Sequence, residues 1–258
     1  MVEVTEAGTA AVPPGTQTLA RGLAVLRAVA GGAATLKDVV EQTGIGRSTA
    51  HRLLQLLEQT GYIERRQNRY VLGPALIEYG FLALNQNPVP VVARPVLEAL
   101  VSKYQDTVHL GILDNDQVLY LDKAAGSRGL VARSRVGHRM PVTRTGIGKA
   151  LILESPELWE PLFRRDHPDE DVTPAQVSSF IRRMEGYREV GATMDLEENE
   201  RGIRCVAAPI RNGSGRIVAA ISLSAARPYI PPARMQALTP VMKEAADTIS
   251  RKLGHDRL

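Results

Sequence analysis

The chain has 258 residues, a hydrophobic fraction of 44 % and a formal net charge of +4, and its pI is about 9.3. That length suits one large domain or two unequal domains with real cores. Cys205 is the single cysteine, so an internal disulfide is excluded, and no Cys/His cluster has zinc spacing. With no apolar run of the roughly 20 residues that a membrane span needs, we expect a cytoplasmic protein without membrane association. Residues 1–14 are expected to form a disordered tail.

Positive charge is concentrated near the beginning of the chain. Residues 15–72 contain eight Lys and Arg against four Asp and Glu, whereas residues 73–258 contain 24 against 22. A polyanion would therefore dock on the first part of the chain.

Three helices are predicted in this basic region. Apolar residues recur at helical spacing before the Gly31-Gly32 stop, namely Leu19, Leu23, Leu26 and Ala30. Thr35 is the expected N-cap of a second helix over residues 36–43, with Asp38 in the capping-box position. A glycine-bounded turn leads to a third helix over residues 47–60, which Gly61 ends.

The third helix has an apolar side, on which Ala50, Leu53, Leu54 and Leu57 lie, and a polar side. A recognition helix presents such a polar side to base edges in the major groove, where Arg pairs with guanine and Gln with adenine. The residues expected to contact DNA from this helix are Arg47, Ser48, Thr49, His51, Arg52 and Gln55.

Residues 62–72 have apolar ends and a polar centre, which predicts two short strands around a basic turn. Arg65, Arg66 and Arg69 lie at this turn beside two amides and are expected to contact the DNA backbone or minor groove. An ordinary solvated Arg-rich face is the alternative. Helix spacing, a glycine turn and a basic wing coincide, and this favours DNA binding.

The remainder of the chain predicts a helix over residues 75–84, a bend over 85–90 and a second domain from about residue 91. Two pairs of strands joined by short turns are predicted. Residues 107–113 pair with 117–121, and residues 203–210 pair with 217–223. Helices are predicted over residues 148–153, 174–185 and 233–253. Such a mixture indicates an α+β domain with an antiparallel sheet.

Several stretches resemble the IclR family of bacterial transcriptional regulators. They are GRSTAHRLL (46–54), YVLG (70–73), SRVG (134–137), TGIGKA (145–150) and DLEENERGIRCVAAPI (195–210). The resemblance covers about residues 15–253. It implies a winged helix-turn-helix domain over residues 15–73, a linker helix and bend over 74–90, and a GAF/PAS-like effector-binding and oligomerisation domain over 91–258. It also implies a homodimer or dimer of dimers that binds double-stranded operator DNA and a small organic, aromatic or sugar acid.

A ligand site is suggested by residues of the second domain. Gly146-Ile147-Gly148 precedes a predicted helix whose N–H groups can face an anion. Ser222 and Ser224 are two apart in an apolar strand and therefore face the same side, and Cys205 lies on the neighbouring strand. Local hydrogen bonding by the serines and a purely hydrophobic cysteine remain alternatives.

The resemblance implies a larger set of effector contacts, namely Gly129, Ala132, Met140, Gly146, Ile147, Asp195, Cys205, Ser222 and Ser224. Gly129 and Ala132 are small, so we expect a site with room for more than a two- or three-carbon acid. The TGIGKA stretch lacks the glycine and hydroxyl positions of a nucleotide P-loop and fails as a dinucleotide fingerprint, so no cofactor is expected.

Two other functions remain open at this point. An enzyme with a DNA- or protein-binding appendage is one, although Asp106, His109 and Ser127 have no defensible triad spacing. The acidic cluster Glu197, Glu198 and Glu200 is interpreted as a salt-bridged turn. The other alternative is an interaction module with a vestigial pocket.

Overall fold

The computed structural model describes residues 13–128, 134–168 and 171–255. These residues form two compact units, which divide between Gln86 and Asn87. Across the described ranges, every helix is too short or too polar to span a bilayer. Most of the tail that was expected to be disordered lies outside these ranges.

The first unit has the order helix, helix, helix, hairpin, helix. Its elements are α1 (Gln17–Ala30), α2 (Leu36–Thr43), α3 (Arg47–Gln59), β1 (Ile63–Arg66), β2 (Arg69–Leu72) and α4 (Pro74–Gln86). The predicted capping box is confirmed, because the Thr35 hydroxyl accepts from Asp38 N and the Asp38 carboxylate accepts from Thr35 N. Gly44 ends α2 with a left-handed φ of 66°, which glycine adopts without a Cβ penalty.

The core of this unit is built by residues of all three helices and the hairpin, including Val25, Val39, Ala50, Leu54 and Ile63. Only part of the apolar stripe predicted for α1 is buried in the core. Leu19 and Leu23 are 65 % and 45 % exposed, because α1 turns the face with Val25, Ala28 and Val29 inward instead. The helix therefore keeps an apolar face on the surface.

The bend predicted over residues 85–90 is narrower than expected. Helix α4 continues to Gln86, and α5 (Pro88–Tyr104) begins after Asn87, whose side chain accepts from Val89 N at 3.1 Å. Proline in the first turn of a helix costs no hydrogen bond, since the N–H there has no helical partner. The Pro-rich run thus starts a helix as well as ending one.

The second unit contains a six-stranded antiparallel sheet with helices on both sides, so the α+β prediction is confirmed. Its strands are β3 (Thr107–Asp114), β4 (Gln117–Ala124), β5 (Arg139–Met140), β6 (Thr193–Leu196), β7 (Ile203–Arg211) and β8 (Ile217–Ala226). Its helices after α5 are α6 (Gly146–Leu151), α7 (Trp159–Arg165), α8 (Pro174–Val190) and α9 (Pro232–Lys252). The strand order is β5-β4-β3-β8-β7-β6.

The two faces of the sheet pack against different helices. Val206 and Ala208 of β7 join the cluster formed with α5 and α9, whereas Ala207 between them joins the cluster of α6, α7 and α8. Alternation along a strand sends successive side chains to opposite faces. Residues of the second face are therefore available to a site beside α6.

Several elements differ from the sequence prediction. Strands β5 and β6 and helix α7 were not predicted, because two to seven residues are too few to show a period. Helix α6 begins at Gly146 instead of residue 148, because Thr145 caps it by accepting from Gly148 N at 3.0 Å. Helix α8 runs past residue 185 to the left-handed Gly191.

Candidate functional sites

The polar face of α3 is open to solvent. Arg47, Ser48, His51, Arg52 and Gln55 are exposed and Thr49 is half-buried. The opposite side of the same helix packs into the core through Ala50, Leu53 and Leu54. Arg47 and Arg52 make no hydrogen bond or ion pair within the described chain, so both guanidinium groups are available to a ligand.

The hairpin that follows α3 has a two-residue turn. Gln67 and Asn68 both have positive φ, 48° and 63°, which is the type I′ geometry that fits the twist of a hairpin. Arg69 beside it is exposed. Hydrogen bonding to Thr35 is the main cause that lowers the pKa of Asp38, and the charge of Arg69 contributes least. The turn therefore projects basic side chains away from the unit.

Two of the three wing arginines already have partners in the chain. The Arg65 guanidinium donates to the Tyr70 hydroxyl at 2.7 Å and lies 5.0 Å from the centre of that ring. Arg66 pairs with Glu64. Arg69 makes no hydrogen bond or ion pair with the residues that the structure describes, which distinguishes it from the other two.

Four neighbouring strands place a row of polar side chains on one face of the larger sheet. Asp195 pairs with Cys205, Cys205 with Ser224, and Ser224 with Thr107. All four are buried. The sheet therefore brings together three predicted effector contacts that lie on three different strands.

A second row runs beside the first. Ser222 pairs with Ala207 on one side and with His109 on the other, and His109 pairs with Lys123. The aromatic rings of His109 and Tyr120 lie 5.1 Å apart. This row ends on β4, at the far side of the face from Asp195.

Helix α6 covers the Asp195 end of this face. The Gly146 carbonyl accepts from the Thr193 hydroxyl at 2.6 Å, and Gly146 lies directly against Cys205. Ile147 is buried in the cluster that joins α6 to the sheet, and Met140 packs on that cluster from β5. Gly129 and Ala132 lie outside the described residues.

Burial dominates the electrostatics of the site. It raises the pKa of Asp195 to about 6, although the Lys149 charge and the N–H of Glu198, which donates to Asp195 Oδ1 at 2.8 Å, oppose the rise. Burial, reinforced by the Asp195 charge, raises the pKa of Cys205 to about 12. The thiol is therefore neutral near pH 7, whereas the carboxyl is mostly ionised.

The acidic cluster after β6 holds this end of the site together. Glu198 pairs with Lys149, which is fully buried, and with Arg183 at 3.1 Å. Glu197 pairs with Arg204 at 2.8 Å, so the predicted salt-bridged turn is confirmed for this pair, whereas Glu198 pairs outside the turn. Glu198 thus links Asp195, through its own backbone, to α6 and α8.

Comparison with known proteins identifies the kind of molecule to which these features belong. The profile described as "Bacterial transcriptional regulator IclR C-terminal" matches residues 81–251, and that of the "IclR helix-turn-helix domain" matches residues 18–67. The chain belongs to the IclR family.

Relatives match over nearly the whole chain. The transcriptional regulator XynR of Escherichia coli is 33 % identical over 246 residues, which is 93 % of this chain and 98 % of XynR. The IclR protein of Thermotoga maritima has 28 % identity and a TM-score of 0.72, with 93 % and 100 % of the two chains covered. An IclR homologue from Microbacterium hydrocarbonoxydans, crystallised with 4-hydroxybenzoate, has 25 % identity and a TM-score of 0.77 over 92 % and 98 % of the chains.

Membership of the IclR family makes this chain a transcriptional regulator with a helix-turn-helix DNA-binding domain and an effector-binding C-terminal domain. The family is not enzymatic, so the enzyme alternative is excluded.

Sequence reasoning overlooked polar residues on and beside this polar face of the larger sheet. His109 and Lys149 are both buried, and Thr107 completes the row of Asp195. The signal for His109 was present, because it alternates with Thr107 and Gly111 in an otherwise apolar strand. Lys149 gave no such signal, since its burial depends on Glu198.

Proposed function

We propose that this IclR-family chain binds operator DNA through α3 and the β1–β2 wing, with an affinity set by an organic, aromatic or sugar acid on the polar face of the larger sheet. In this proposal Arg47, Arg52 and Gln55 read base edges, and Arg69 contacts the DNA backbone. The protein acts in the cytoplasm, where its DNA is. The observation that carries the effector site is the buried row of Asp195, Cys205 and Ser224 beside Gly146.

The composition of that face supports a small acid as effector. It combines apolar residues of α6 and the sheet with a few polar groups, as small-molecule sites do. The Microbacterium hydrocarbonoxydans homologue was crystallised with 4-hydroxybenzoate, which is an aromatic acid. We therefore rank aromatic acids first, with sugar acids and short organic acids as the other classes to test.

Exposed apolar helices support a homodimer or a dimer of dimers. Ile77 and Phe81 of α4 are 63 % and 64 % exposed, and Leu19 of α1 is 65 % exposed. A helix that is apolar around most of its surface is normally covered, because water contact with apolar groups is unfavourable. A second copy would cover these surfaces and bring two recognition helices to a palindromic operator.

Fluorescence anisotropy on DNA from the intergenic region upstream of its own gene tests the proposal. The full chain and Arg47→Ala are titrated with that DNA and with random DNA, each with 4-hydroxybenzoate, benzoate, gluconate, glyoxylate or buffer. We expect sequence-selective binding that one acid shifts at least severalfold and that Arg47→Ala loses. Binding without any response to the acids would favour the interaction module, and equal affinity for random DNA at moderate salt would refute operator recognition at that site.

A further inference from the structure

His109 is a buried side chain with one unused nitrogen. It is 3 % exposed, and Nε2 lies 2.8 Å from Ser134 Oγ. Nδ1 is buried and has no hydrogen-bond partner among the described residues, a property it shares only with Arg183 Nε. Burying a polar atom without a hydrogen-bond partner costs free energy, so such atoms are rare in folded proteins and normally have a specific cause. A ligand that bonds to Nδ1 would supply one.

The surroundings of His109 favour a proton on Nδ1. Lys123 Nζ donates to Ser134 O at 2.8 Å and to Ser134 Oγ at 3.4 Å. An ammonium group only donates, so Ser134 Oγ accepts from it and keeps its own hydrogen, which it can donate to His109 Nε2. Burial, followed by the Lys123 charge, lowers the pKa of His109 to about 3, so the ring is neutral near pH 7. A neutral ring that accepts at Nε2 holds its proton on Nδ1.

We infer that His109 Nδ1–H donates a hydrogen bond to the carboxylate of the effector, whose hydroxyl group lies toward Asp195 at the other end of the same face. This inference rests on the proposed function and specifies it: the effector is a hydroxylated acid in a defined orientation. The charges at the two ends set the orientation. Lys123 attracts a carboxylate to the His109 end, whereas at the other end Asp195 repels it and the Lys149 ammonium is already paired with Glu198.

The spacing of the strands sets the size of this ligand. Asp195 is on β6 and His109 is on β3, three strand-to-strand steps away, and His109 lies two residues along the strand from the row of Asp195. At the usual spacings this is roughly 16 Å between main chains. A two- or three-carbon acid is too short to reach both ends, so the ligand needs at least the length of an aromatic ring or a sugar-acid chain.

The first test needs neither ligand nor DNA. Full-length protein labelled with [¹⁵N]histidine is examined by long-range ¹H–¹⁵N correlation at pH 7.5, with His109→Gln to assign the signals. We expect a neutral His109 ring that is protonated on Nδ1, and a tautomer mixture in Ser134→Ala. A ring protonated on Nε2, or a doubly protonated ring, would overturn the inference.

The second test uses isothermal titration calorimetry with three matched probes, namely 4-hydroxybenzoate, benzoate and 4-hydroxybenzyl alcohol. His109→Phe is expected to weaken both acids about tenfold or more and to leave the alcohol unchanged, because the alcohol has no carboxylate. Asp195→Asn is expected to reduce the advantage of 4-hydroxybenzoate over benzoate. His167→Phe is the control, since its Nδ1 is already bonded to Phe163 O at 2.8 Å.

The outcomes separate this inference from the proposed function. If operator binding responds to some acid while the ¹⁵N shifts of His109 do not move, the role of Nδ1 is overturned and the regulator function stands. If His109→Phe does not fold, two other measurements test the inference. They are the acid affinities of His109→Gln and the change in the ¹⁵N shifts of the wild-type His109 ring when 4-hydroxybenzoate is added. If none of the three probes binds, the assigned ligand class is wrong.

Discussion

The backbone of Gly146 lies directly against the side chain of Cys205. A Cβ placed on Gly146 would come within 2.6 Å of Cys205 Sγ and 3.4 Å of Asp195 N. Unbonded atoms do not approach so closely in folded proteins, so the first residue of α6 is limited to glycine by its neighbours on β6 and β7. The predicted effector contacts Gly146, Asp195 and Cys205 are thus one packing unit.

This contact predicts a second-site suppressor. Gly146→Ala should destabilise the protein by about 1–3 kcal/mol through overpacking and should abolish the acid response of operator binding. Cys205→Ala removes the sulfur, so the double variant should regain part of that stability, with a coupling of about 0.5–3 kcal/mol in urea unfolding.

Gly186→Ala is the matched control for this cycle. Gly186 lies inside α8 with no atom within 4 Å of an added Cβ, so alanine there should stabilise the helix by up to about 1 kcal/mol. Strict additivity of Gly146→Ala and Cys205→Ala would show that the sulfur is not what limits position 146.

Capping and turn residues in the sequence predicted the elements of the first unit. The cap at Thr35 and the glycine after the helix predicted the bounds of α2 as Leu36–Thr43, and the polar centre of residues 62–72 between apolar ends predicted the hairpin. The buried face of α1 could not be predicted, because Leu19 and Leu23 have the same helical spacing as residues that are in the core. Only the packing of α1 on α2, α3 and β2 decides between the two faces.

Only part of the candidate effector site could be predicted from the sequence. Alternation predicts that Ser222 and Ser224 share a side, and the turn after β7 brings Cys205 next to them. The position of His109 follows from the pairing of β3 with β8, which is distant in the chain and which no local pattern contains. Asp195 lies on β6, whose four residues are too few to show a period. The assignment of these residues to an effector stays a prediction, as does the role of Gly129 and Ala132.

Ionisation of Asp195 makes stability depend on pH. Its pKa rises from the ordinary 3.8 to about 6 in the folded protein, so folding is favoured when the carboxyl is protonated. The resulting cost begins above pH 3.8, increases to about pH 6, and then levels at up to about 3 kcal/mol. Asp195→Asn should therefore be more stable than the wild type above pH 7, and the difference should disappear below pH 4 in urea unfolding.

The exposed Asp171 provides the control for this pH dependence. A pH dependence that Asp171→Asn shares with Asp195→Asn would not come from the burial of Asp195. If Asp195→Asn were instead increasingly destabilising as the pH rises, the bond from Glu198 N and the charge of Lys149 would outweigh the burial of the carboxylate.

The two kinds of DNA contact should differ in their response to salt. Arg69→Ala is expected to lower the slope of log affinity against log salt by about 0.9, equally for specific and random DNA, because one phosphate contact is lost. Arg47→Ala should cost about 1–3 kcal/mol on the operator and little on random DNA, because it removes a base contact. Anisotropy over a salt series measures both.

Arg182→Ala is the matched control, since this exposed arginine lies on α8 of the other unit. It should leave both the slope and the specificity unchanged. An equal effect of Arg47→Ala on operator and random DNA would move Arg47 from the base-reading group to the backbone contacts.

The exposed apolar surface of α4 predicts how two copies associate. Ile77 and Phe81 are four residues apart and therefore lie on one side of the helix, so Ile77→Glu and Phe81→Glu place charges in the proposed interface. We expect each variant to sediment as a smaller species at micromolar concentration and to bind the operator more weakly, because two half-sites are no longer bound together. Val190→Glu, at a residue of α8 that is 48 % exposed, should change neither property. An unchanged oligomer in both α4 variants would mean that α4 has another partner and that the two copies meet elsewhere.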